Sequence, residues 1–344
     1  MERIRINAAK GYEVLLGKDI LSELGNECAK LFEKGRALII TDDLVGNLYG
    51  NAAKESLSSC GFSVFYCELP HGEKSKTLEK AEELLFSLSS HGFCRNDFIV
   101  ALGGGVIGDI AGFVASVYMR GIPYVSVSTT LLSDVDSSIG GKTGIDTKFG
   151  KNLVGTFYNP LLVITDLALL STLPQKEVRC GVGEIAKYAV LDKELFSMLS
   201  ENASREDIIS RCIKIKKACV EEDEFDCGRR ALLNLGHTLA HAIEKKSDYK
   251  ISHGEAVAMG LYMMLQTSLK NGLIDKKEFD KIAVLFENIG IYPVFPYELS
   301  ELLPEIWNDK KRVFDGIELI VPKGVGNVEK IRMTKSEAEE FFLE

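Results

Sequence analysis

The chain lacks the features that mark disulfide-stabilised secreted domains and membrane proteins. Its eight cysteines form no C-x-x-C pair, and a chain of 344 residues needs no disulfides to bury a core. No apolar run approaches the about 18 uninterrupted residues that suggest a membrane span. The N-terminus, MERIRINAAKGYEV, has no apolar signal segment. We therefore expect a cytoplasmic protein whose thiols are free and mostly buried.

An excess of positive charge is also absent. The 50 acidic and 41 basic residues give a formal net charge of −9 at pH 7, which argues against nucleic acid as the main partner. An anionic small molecule is compatible with this balance where cations cluster locally, although a single lysine or arginine is usually a solvated surface charge. Low-complexity tracts and internal repeats are absent too, and the length is sufficient for two domains.

A glycine-rich turn in the sequence DFIVALGGGVIGD, residues 97–109, carries the first functional signal. The apolar run 98–102 leads into three glycines and then a helical pattern. A strand that delivers such a turn to a helix N-terminus presents backbone N–H groups to a phosphate. The G-x-G-x-x-G spacing is also satisfied, although this motif alone is weak evidence in a chain with 31 glycines. Its glycines are Gly103, Gly105 and Gly108.

A second predicted strand, residues 123–127, should end beside the glycine turn. It is followed by Ser128-Thr129-Thr130 and by a predicted polar loop that extends to residue 152 and contains Lys142 and Lys151. Because the carboxyl ends of neighbouring parallel strands share one edge of a sheet, these hydroxyl and lysine groups should meet the glycine turn in one crevice.

Alternating strand and helix patterns predict an α/β fold with a doubly wound, mostly parallel, Rossmann-like sheet in the N-terminal part. The last core strand is predicted at 162–166, and Leu173-Pro174 breaks the pattern. We predict one α/β domain over residues 1–173 and a mainly helical second domain over 174–344, with one helix at 229–244. Asp42 follows the strand 36–41, where it fits a ribose contact or a helix N-cap equally well.

Three of the five histidines fall between residues 237 and 253. In a continuous helix, Asn234, His237 and His241 would share one face. A lone histidine is usually a core residue with a satisfied hydrogen bond, but three together favour a site. Spacing alone nominates His237 and His241 as a metal pair, because two imidazoles at i and i+4 can chelate one ion.

Nine segments together resemble the 3-dehydroquinate synthase family: PHGEKSK, GGGVIGDIAGF, YMRG, TTLL, DSSIGGKTG, GKNLVG, GVGEIAKYAV, LNLGHTLAH and SHGEAVAMG. The resemblance extends from about residue 42 to residue 311. It implies conversion of 3-deoxy-D-arabino-heptulosonate 7-phosphate to 3-dehydroquinate and phosphate in the shikimate pathway. It also implies that the first domain, residues 1–173, binds NAD, which is regenerated in each turnover. The second domain, residues 174–344, would bind the substrate and one divalent ion, zinc or cobalt. Oxidation, phosphate elimination, reduction, ring opening and an intramolecular aldol reaction would follow one another.

The resemblance also assigns roles to individual residues. It implies that the metal ligands are Glu184, His237 and His253, and it assigns His241 to the substrate pocket. The substrate phosphate would be bound by Lys142, Asn152, Asn234, His241 and one of Lys310 and Lys311. Lys216 and Arg230 would meet the substrate carboxylate and ring oxygens, and Asp136 and Lys187 its hydroxyls. Arg120 would reach the site of a neighbouring subunit, which implies a homodimer.

The cofactor contacts implied by the resemblance include Glu73 and Lys76 at the adenosine half of NAD. The whole set is Asp42, Glu73, Lys76, Gly103, Gly104, Gly105, Val106, Asp109, Thr129, Thr130, Lys142 and Lys151. One departure from the family pattern is Ser128, which stands where the family usually has proline. Serine does not fix the backbone as proline does, so we expect a looser turn there.

Three other functions remain open from the sequence. Related sugar phosphate cyclases act on sedoheptulose 7-phosphate or glucose 6-phosphate, which lack the carboxylate that Lys216 and Arg230 would bind. A metal-dependent polyol dehydrogenase would release net NADH, and the lysines of SSIGGKTG and GKNL favour a phosphorylated substrate instead. A nonenzymatic nucleotide sensor could keep the glycine turn but would not need the Glu184, His237 and His253 set.

Overall fold

The computed structural model describes residues 1–292, 294–307, 312–313 and 316–343. The chain forms two compact units. Unit 1 comprises Met1–Pro174 together with Lys216–Phe225, and unit 2 comprises Gln175–Ile215 and the chain from Asp226 onward. In the part of the chain described, every helix is too short or too polar to cross a membrane.

Unit 1 is built on a seven-stranded sheet in the order β1-β2-β9-β6-β5-β3-β4. β1 pairs antiparallel with β2, and every other pairing in this sheet is parallel. The predicted mostly parallel α/β sheet is therefore confirmed. The strands are β1 (Glu2–Ile6), β2 (Tyr12–Gly17), β3 (Arg36–Asp42), β4 (Ser63–Leu69), β5 (Phe98–Gly103), β6 (Tyr124–Ser128) and β9 (Leu162–Asp166).

Helices cover both faces of this sheet, so its central strands are apolar along their whole length. All six residues of β5 are buried, and successive side chains enter two separate cores. Phe98 and Val100 pack in one core with Leu24 and Leu57, whereas Ile99 packs in the other. This is why the central strands appear as continuous apolar runs instead of alternating patterns. The helices of unit 1 are α1 (Leu24–Leu31), α2 (Asp43–Val45), α3 (Asn51–Ser59), α4 (Leu78–Ser90) and α5 (Gly105–Val117).

The predicted polar loop before residue 152 is wrong, because this segment contains a β-hairpin. Strand β7 (Lys142–Thr147) pairs antiparallel with β8 (Gly150–Phe157), with Thr143 opposite Thr156 and Ile145 opposite Val154. Ile145 is buried in the unit 1 core. Glycine and polar residues stand between the β-branched residues of these two strands, so the two-residue period of a strand was not evident in the sequence.

Unit 2 is mainly helical, with a small antiparallel sheet formed by β10 (Arg312–Val313), β11 (Gly316–Pro322) and β12 (Val328–Thr334). Its core contains Leu239, Val257 and Trp307 from three helices and Leu319 from the sheet. Helix α8 contributes residues to both units. The helices are α6 (Gln175–Leu191), α7 (Lys193–Ser200), α8 (Arg205–Glu222), α9 (His237–Lys246), α10 (His253–Lys270), α11 (Lys276–Asn288), α12 (Leu299–Trp307) and α13 (Lys335–Leu343).

The prediction of one continuous helix over residues 229–244 is wrong. A 3-10 segment, Arg229–Asn234, ends before Gly236, and α9 begins at His237. Gly236 adopts φ = +78°, and a Cβ there would lie 2.8 Å from the backbone nitrogen of Leu261. Only glycine accepts both the conformation and the contact. Asn234 therefore does not share a helix face with His237 and His241.

Most of the cysteines are not fully buried, in contrast to the expectation. Cys28, Cys180 and Cys212 are buried, and the other five are exposed or of intermediate exposure. Burial raises the pKa of the Cys180 thiol to about 11, which keeps this group protonated at neutral pH.

Candidate functional site

The glycine turn and the end of the neighbouring strand lie against each other in unit 1. Gly104 separates β5 from α5, and Gly103 pairs with Ser128 at the end of β6. A Cβ at Gly104 would lie 2.7 Å from Thr130 Cγ2, and one at Gly105 would lie 3.2 Å from Ser137 Oγ. The first turn of α5, which contains Val106, thus opens beside the Thr129-Thr130 segment. This arrangement suits a bound pyrophosphate.

Lys76 connects two residues that the resemblance assigns to different ligands. Its side chain is buried, and Nζ donates to Asp109 Oδ2 on α5 and to Asn152 Oδ1 on β8, both at 2.5 Å. Asn152 adopts φ = +53° and donates its backbone N–H to Asp146 Oδ1 at 2.8 Å. Nearby, Lys151 Nζ lies 3.4 Å from Glu73 Oε1. The structure therefore ties the segment around Lys76 to the β7–β8 hairpin.

Lys142 follows two glycines with positive φ, Gly140 at +89° and Gly141 at +65°. The backbone N–H of Gly140 donates to Tyr12 Oη at 2.9 Å, and Tyr12 is fully buried in β2. A small cavity beside Lys142 is also lined by Asp109. Tyr12 was missed in the sequence, because nothing in the pattern of β2 distinguishes this hydroxyl from that of any other strand tyrosine.

Lys216 and Asp136 form a pair within unit 1. Lys216 Nζ donates to both the backbone oxygen and Oδ1 of Asp136 at 2.7 Å. Lys216 is buried, whereas Asp136 is partly exposed. The carboxylate thus fixes the ammonium group at a defined position.

Ser128 belongs to a buried cluster of hydroxyl and carboxyl groups. Its Oγ donates to Asp134 Oδ1 at 2.6 Å and lies 2.5 Å from Ser133 Oγ, which is 2.8 Å from Thr130 Oγ1. At the position where the family pattern has proline, side-chain hydrogen bonds restrain the turn of this chain. Burial raises the pKa of Asp134 well above its ordinary value, and among the described residues its Oδ2 has no hydrogen-bond partner.

We expect Asp134→Asn to stabilise the protein, and the stabilisation should increase as the pH rises. Folded Asp134 keeps a proton that the unfolded chain releases above about pH 4, so the parent protein loses stability with increasing pH through this group. Asparagine has nearly the same shape and does not titrate. Thermal unfolding between pH 5 and pH 8 should show a gain in Tm that grows with pH, on the order of a few degrees. An equal gain at both pH values would show that Asp134 is ionised in the folded state, and the exposed Asp280→Asn serves as the control.

In unit 2, Glu184, His237 and His253 form the one group of three possible metal ligands found in the described part of the chain. One ligand atom from each residue lies within 4.8 Å of the others. Glu184 Oε1 is 3.5 Å from His237 Nε2 and 3.3 Å from His253 Nε2. Lys187 Nζ lies 2.6 Å from the other carboxylate oxygen, Oε2. One carboxylate and two imidazoles fit a catalytic zinc or cobalt ion, because they leave coordination positions open.

Close helix contacts at glycines bring these ligands together. A Cβ at Gly183 on α6 would lie 1.9 Å from Gly254 O on α10, and one at Gly254 would lie 1.8 Å from Cys180 O. The two helix backbones therefore touch at the residues that adjoin Glu184 and His253. Gly260 on α10 approaches α9 in the same way, since its Cβ would lie 2.4 Å from Gly236 O.

Hydrogen-bond acceptors orient both histidines with Nε2 towards Glu184. His237 Nδ1 lies 3.2 Å from the carbonyl oxygen of Leu235, and His253 Nδ1 lies 3.4 Å from Glu244 Oε1. Burial lowers the pKa of His237 to about 4. Burial also opposes protonation of His253, but hydrogen bonds to Glu184 and Glu244 outweigh it and raise that pKa to about 10. His237 is therefore ready to bind a cation at neutral pH, whereas His253 must first release a proton.

The other predicted site residues have varied surroundings. Asp42 is a helix N-cap: its Oδ1 accepts from the backbone N–H groups of Leu44 and Val45 at 3.0 and 2.9 Å. Arg230 is almost completely buried at the 3-10 segment, and the His241 ring centre lies 5.8 Å from that of His237. Arg120 is exposed and adopts φ = +67°. Lys310 and Lys311 lie outside the described residues.

Two solved structures share this fold over nearly their whole length. A 2-deoxy-scyllo-inosose synthase complexed with carbaglucose-6-phosphate, NAD+ and Co2+ superposes with a TM-score of 0.87 at 25% identity, covering 99% of both chains. A 2-epi-5-epi-valiolone synthase from Streptomyces hygroscopicus subsp. jinggangensis, with NAD+ and Zn2+ bound, gives a TM-score of 0.86 at 25% identity over 96% of each chain.

Proteins related in sequence are more similar to this chain than the two solved structures are, and they carry a different name. A 3-dehydroquinate synthase of Desulforamulus reducens is 39% identical over 339 residues, which cover 95% of this chain and 94% of that protein. Residues 66–180 match the family's N-terminal domain, and residues 181–312 match its C-terminal domain. Both domains are thus present in order across most of the sequence, and the chain belongs to the 3-dehydroquinate synthase family.

Proposed function

We propose that this protein converts 3-deoxy-D-arabino-heptulosonate 7-phosphate to 3-dehydroquinate and phosphate, using NAD and one divalent ion. The convergence of Glu184 Oε1 with the Nε2 atoms of His237 and His253 carries the proposal, because a fold with only a nucleotide-binding role does not need this set. NAD, when bound, accepts and returns a hydride, and a divalent ion lowers the pKa of a coordinated hydroxyl group.

The residues of unit 2 hold and orient the reacting hydroxyl in this proposal. Lys187 neutralises Glu184 through Oε2, so that Oε1 stays directed towards the two histidines. Lys187 is also proposed to donate to a substrate hydroxyl, since an ammonium group can donate more than one hydrogen bond. This positioning makes the carbinol hydrogen available for transfer to NAD.

The residues of unit 1 bind the anionic groups. The N-terminus of α5 and the glycine turn suit the pyrophosphate of NAD, and Lys142 and Asn152 are proposed to bind the phosphate that leaves. Preorganised cations lower the barrier for such a step because they stabilise the charge on the departing group. The hairpin that carries both residues is held by Lys76 and Asp146.

The substrate carboxylate distinguishes this reaction from those of the sister cyclases. Lys216 and Arg230 are both buried and both cationic, and a cation is the kind of group that recognises a carboxylate. The relatives named 3-dehydroquinate synthase are also more similar in sequence, at 39% identity against 25% for the two sister enzymes. A carboxylate-bearing substrate accounts for both observations.

A comparison of three substrates tests the assignment. The metal-loaded protein is supplied with NAD and either the 3-deoxy ulosonate phosphate, sedoheptulose 7-phosphate or glucose 6-phosphate, and phosphate release is followed. We expect release from the ulosonate alone. Phosphate release from sedoheptulose 7-phosphate or glucose 6-phosphate instead would show that the protein has the activity of a sister cyclase. It would also contradict the proposed role of Lys216 and Arg230.

A reducing compartment suits the thiols of this chain. Cys94 is a free thiol at the surface, and Cys28, Cys60, Cys67 and Cys180 are also free. Exposed free thiols persist where glutathione keeps them reduced. We therefore propose a cytoplasmic location.

A homodimer is proposed to complete each site with Arg120 of the second copy. Unit 1 exposes several large apolar side chains at the end of α5 and on the β7–β8 hairpin, and such groups are typical of an interface. They are Val117, Met119, Phe149, Leu153, Val154 and Phe157.

Mixed dimers of two inactive variants test this arrangement. Homodimers of Arg120→Ala and homodimers of His253→Ala should both be inactive. In a mixed dimer, the Arg120→Ala chain keeps His253 in its own site and receives Arg120 from its partner, so that one of the two sites is complete. Random mixing on coexpression should restore about a quarter of the parent activity, because half of the dimers are mixed and each has one working site. Absence of recovery in purified mixed dimers would show that Arg120 acts within its own chain.

A further inference from the structure

We propose that Glu244 is a positioning residue that holds His253 in the orientation required for metal binding. The inference rests on the metal site of the proposed function and adds a residue to it. Glu244 is buried in the last turns of α9, and its Oε1 lies 3.4 Å from His253 Nδ1. On the other side of the same ring, His253 Nε2 lies 3.3 Å from Glu184 Oε1.

The two ring nitrogens of His253 therefore face different partners. A metal ion takes the lone pair of an unprotonated nitrogen, which leaves the remaining proton on the other nitrogen. With Nε2 directed at the ligand cluster, that proton resides on Nδ1, where the Glu244 carboxylate accepts it. A carboxylate in this position fixes both the tautomer and the ring orientation, and it makes the imidazole a better electron donor.

His253 needs this support more than His237 does. Its side chain retains 36% exposure, against 11% for His237, and it is the first residue of α10. Packing therefore restrains the His253 ring less. His237 lies in the packed interior and has a neutral acceptor, the Leu235 carbonyl oxygen at 3.2 Å. The chain thus supplies the charged acceptor to the more exposed ligand.

Metal affinity is the direct measure of this role. We expect Glu244→Ala to weaken zinc binding about 10- to 100-fold, as loss of a partner behind a metal ligand usually does. Glu244→Gln should weaken it less, because the amide oxygen still accepts from Nδ1 but carries no charge. Glu305→Gln is the matched control: it removes one negative charge beside Lys245, which follows Glu244, without contacting a ligand. Its affinity should stay within about twofold of the parent value.

The experiment uses the full-length protein without substrate. Dissociation constants for Zn2+ and Co2+ are obtained by competition with a chromogenic chelator, and circular dichroism confirms that each metal-free variant is folded. The absorption spectrum of the Co2+ form reports ligand geometry, and it should change in Glu244→Ala and remain unaltered in Glu305→Gln. If Glu244→Ala does not fold, Glu244→Gln carries the test.

Three results would overturn the inference, and the first two separate it from the proposed function. Unchanged affinity and an unchanged Co2+ spectrum in both Glu244 variants, with binding lost in His253→Ala, would leave the metal site in place and remove the role of Glu244. Unchanged binding in His253→Ala as well would show that the metal site itself is wrong. Equal weakening in Glu305→Gln would also reject the inference, since the effect would then be one of general charge.

Discussion

Replacing His253 with alanine is expected to remove metal binding and turnover together. The variant loses one of three ligand atoms that lie within 4.8 Å of one another, and the remaining pair cannot hold the ion against solvent at micromolar metal. The loss of affinity should exceed the about 10- to 100-fold expected for an orienting residue. Phosphate release should fall on the order of a thousandfold or more, because metal stabilisation of developing charge contributes several kcal/mol.

Metal content and phosphate release are measured on the same preparation of the His253→Ala variant. His91→Ala is a suitable control, since His91 is an exposed histidine of unit 1 that contacts Ser87, and it should keep the parent values. Full metal content in His253→Ala would contradict the ligand assignment. Full activity of the parent after verified removal of metal would contradict the metal role altogether.

Replacing Lys142 with alanine should slow the loss of phosphate far more than it weakens NAD binding. The side chain is exposed at the start of β7, where its ammonium group can meet an anionic ligand. Loss of one preorganised charge at a departing group usually costs about 100- to 1000-fold in rate. The dissociation constant for NAD, measured by fluorescence, should change by less than about threefold, since the lysine would contact the substrate phosphate.

Lys148→Ala provides the matched control for Lys142→Ala. Lys148 lies on the same hairpin between β7 and β8, with Nζ 5.2 Å from the ring centre of Phe149, and its removal should leave both constants near the parent values. If Lys142→Ala loses NAD affinity yet turns over normally at saturating NAD, then Lys142 belongs to the cofactor site instead.

Regular apolar patterns made the parallel sheet of unit 1 predictable. Strands such as β5 are buried on both faces and are bounded by glycine, so a short apolar run and a turn signal suffice to identify them. The β7–β8 hairpin was not predictable in this way, because glycine and charged residues interrupt its alternation. Asp42 illustrates a related limit: its sequence position fits an N-cap or a ribose contact, and only the structure shows that its Oδ1 caps α2.

Helix periodicity nominated a different pair of histidines from the pair that the structure groups with Glu184. Spacing nominated His237 and His241, whereas the structure brings His237 together with Glu184 and His253. The reason is the packing of α6, α9 and α10, which touch at Gly183, Gly254, Gly236 and Gly260. Such contacts between helices cannot be calculated from the period of one helix. Comparison with a known family nominated the set that the structure brings together, since it compares whole motifs instead of spacings.

In the proposed reaction, NAD oxidises the substrate and the NADH formed reduces it again within one turnover. The ratio of phosphate to NADH tests this claim most directly. The metal-loaded protein is given the 3-deoxy ulosonate phosphate in large excess over NAD, and phosphate, 3-dehydroquinate and NADH absorbance are followed together. We expect many molecules of phosphate and an equal amount of 3-dehydroquinate per NAD, with no net NADH. Phosphate release that stops at one equivalent of NAD while NADH accumulates would contradict the account and indicate a dehydrogenase.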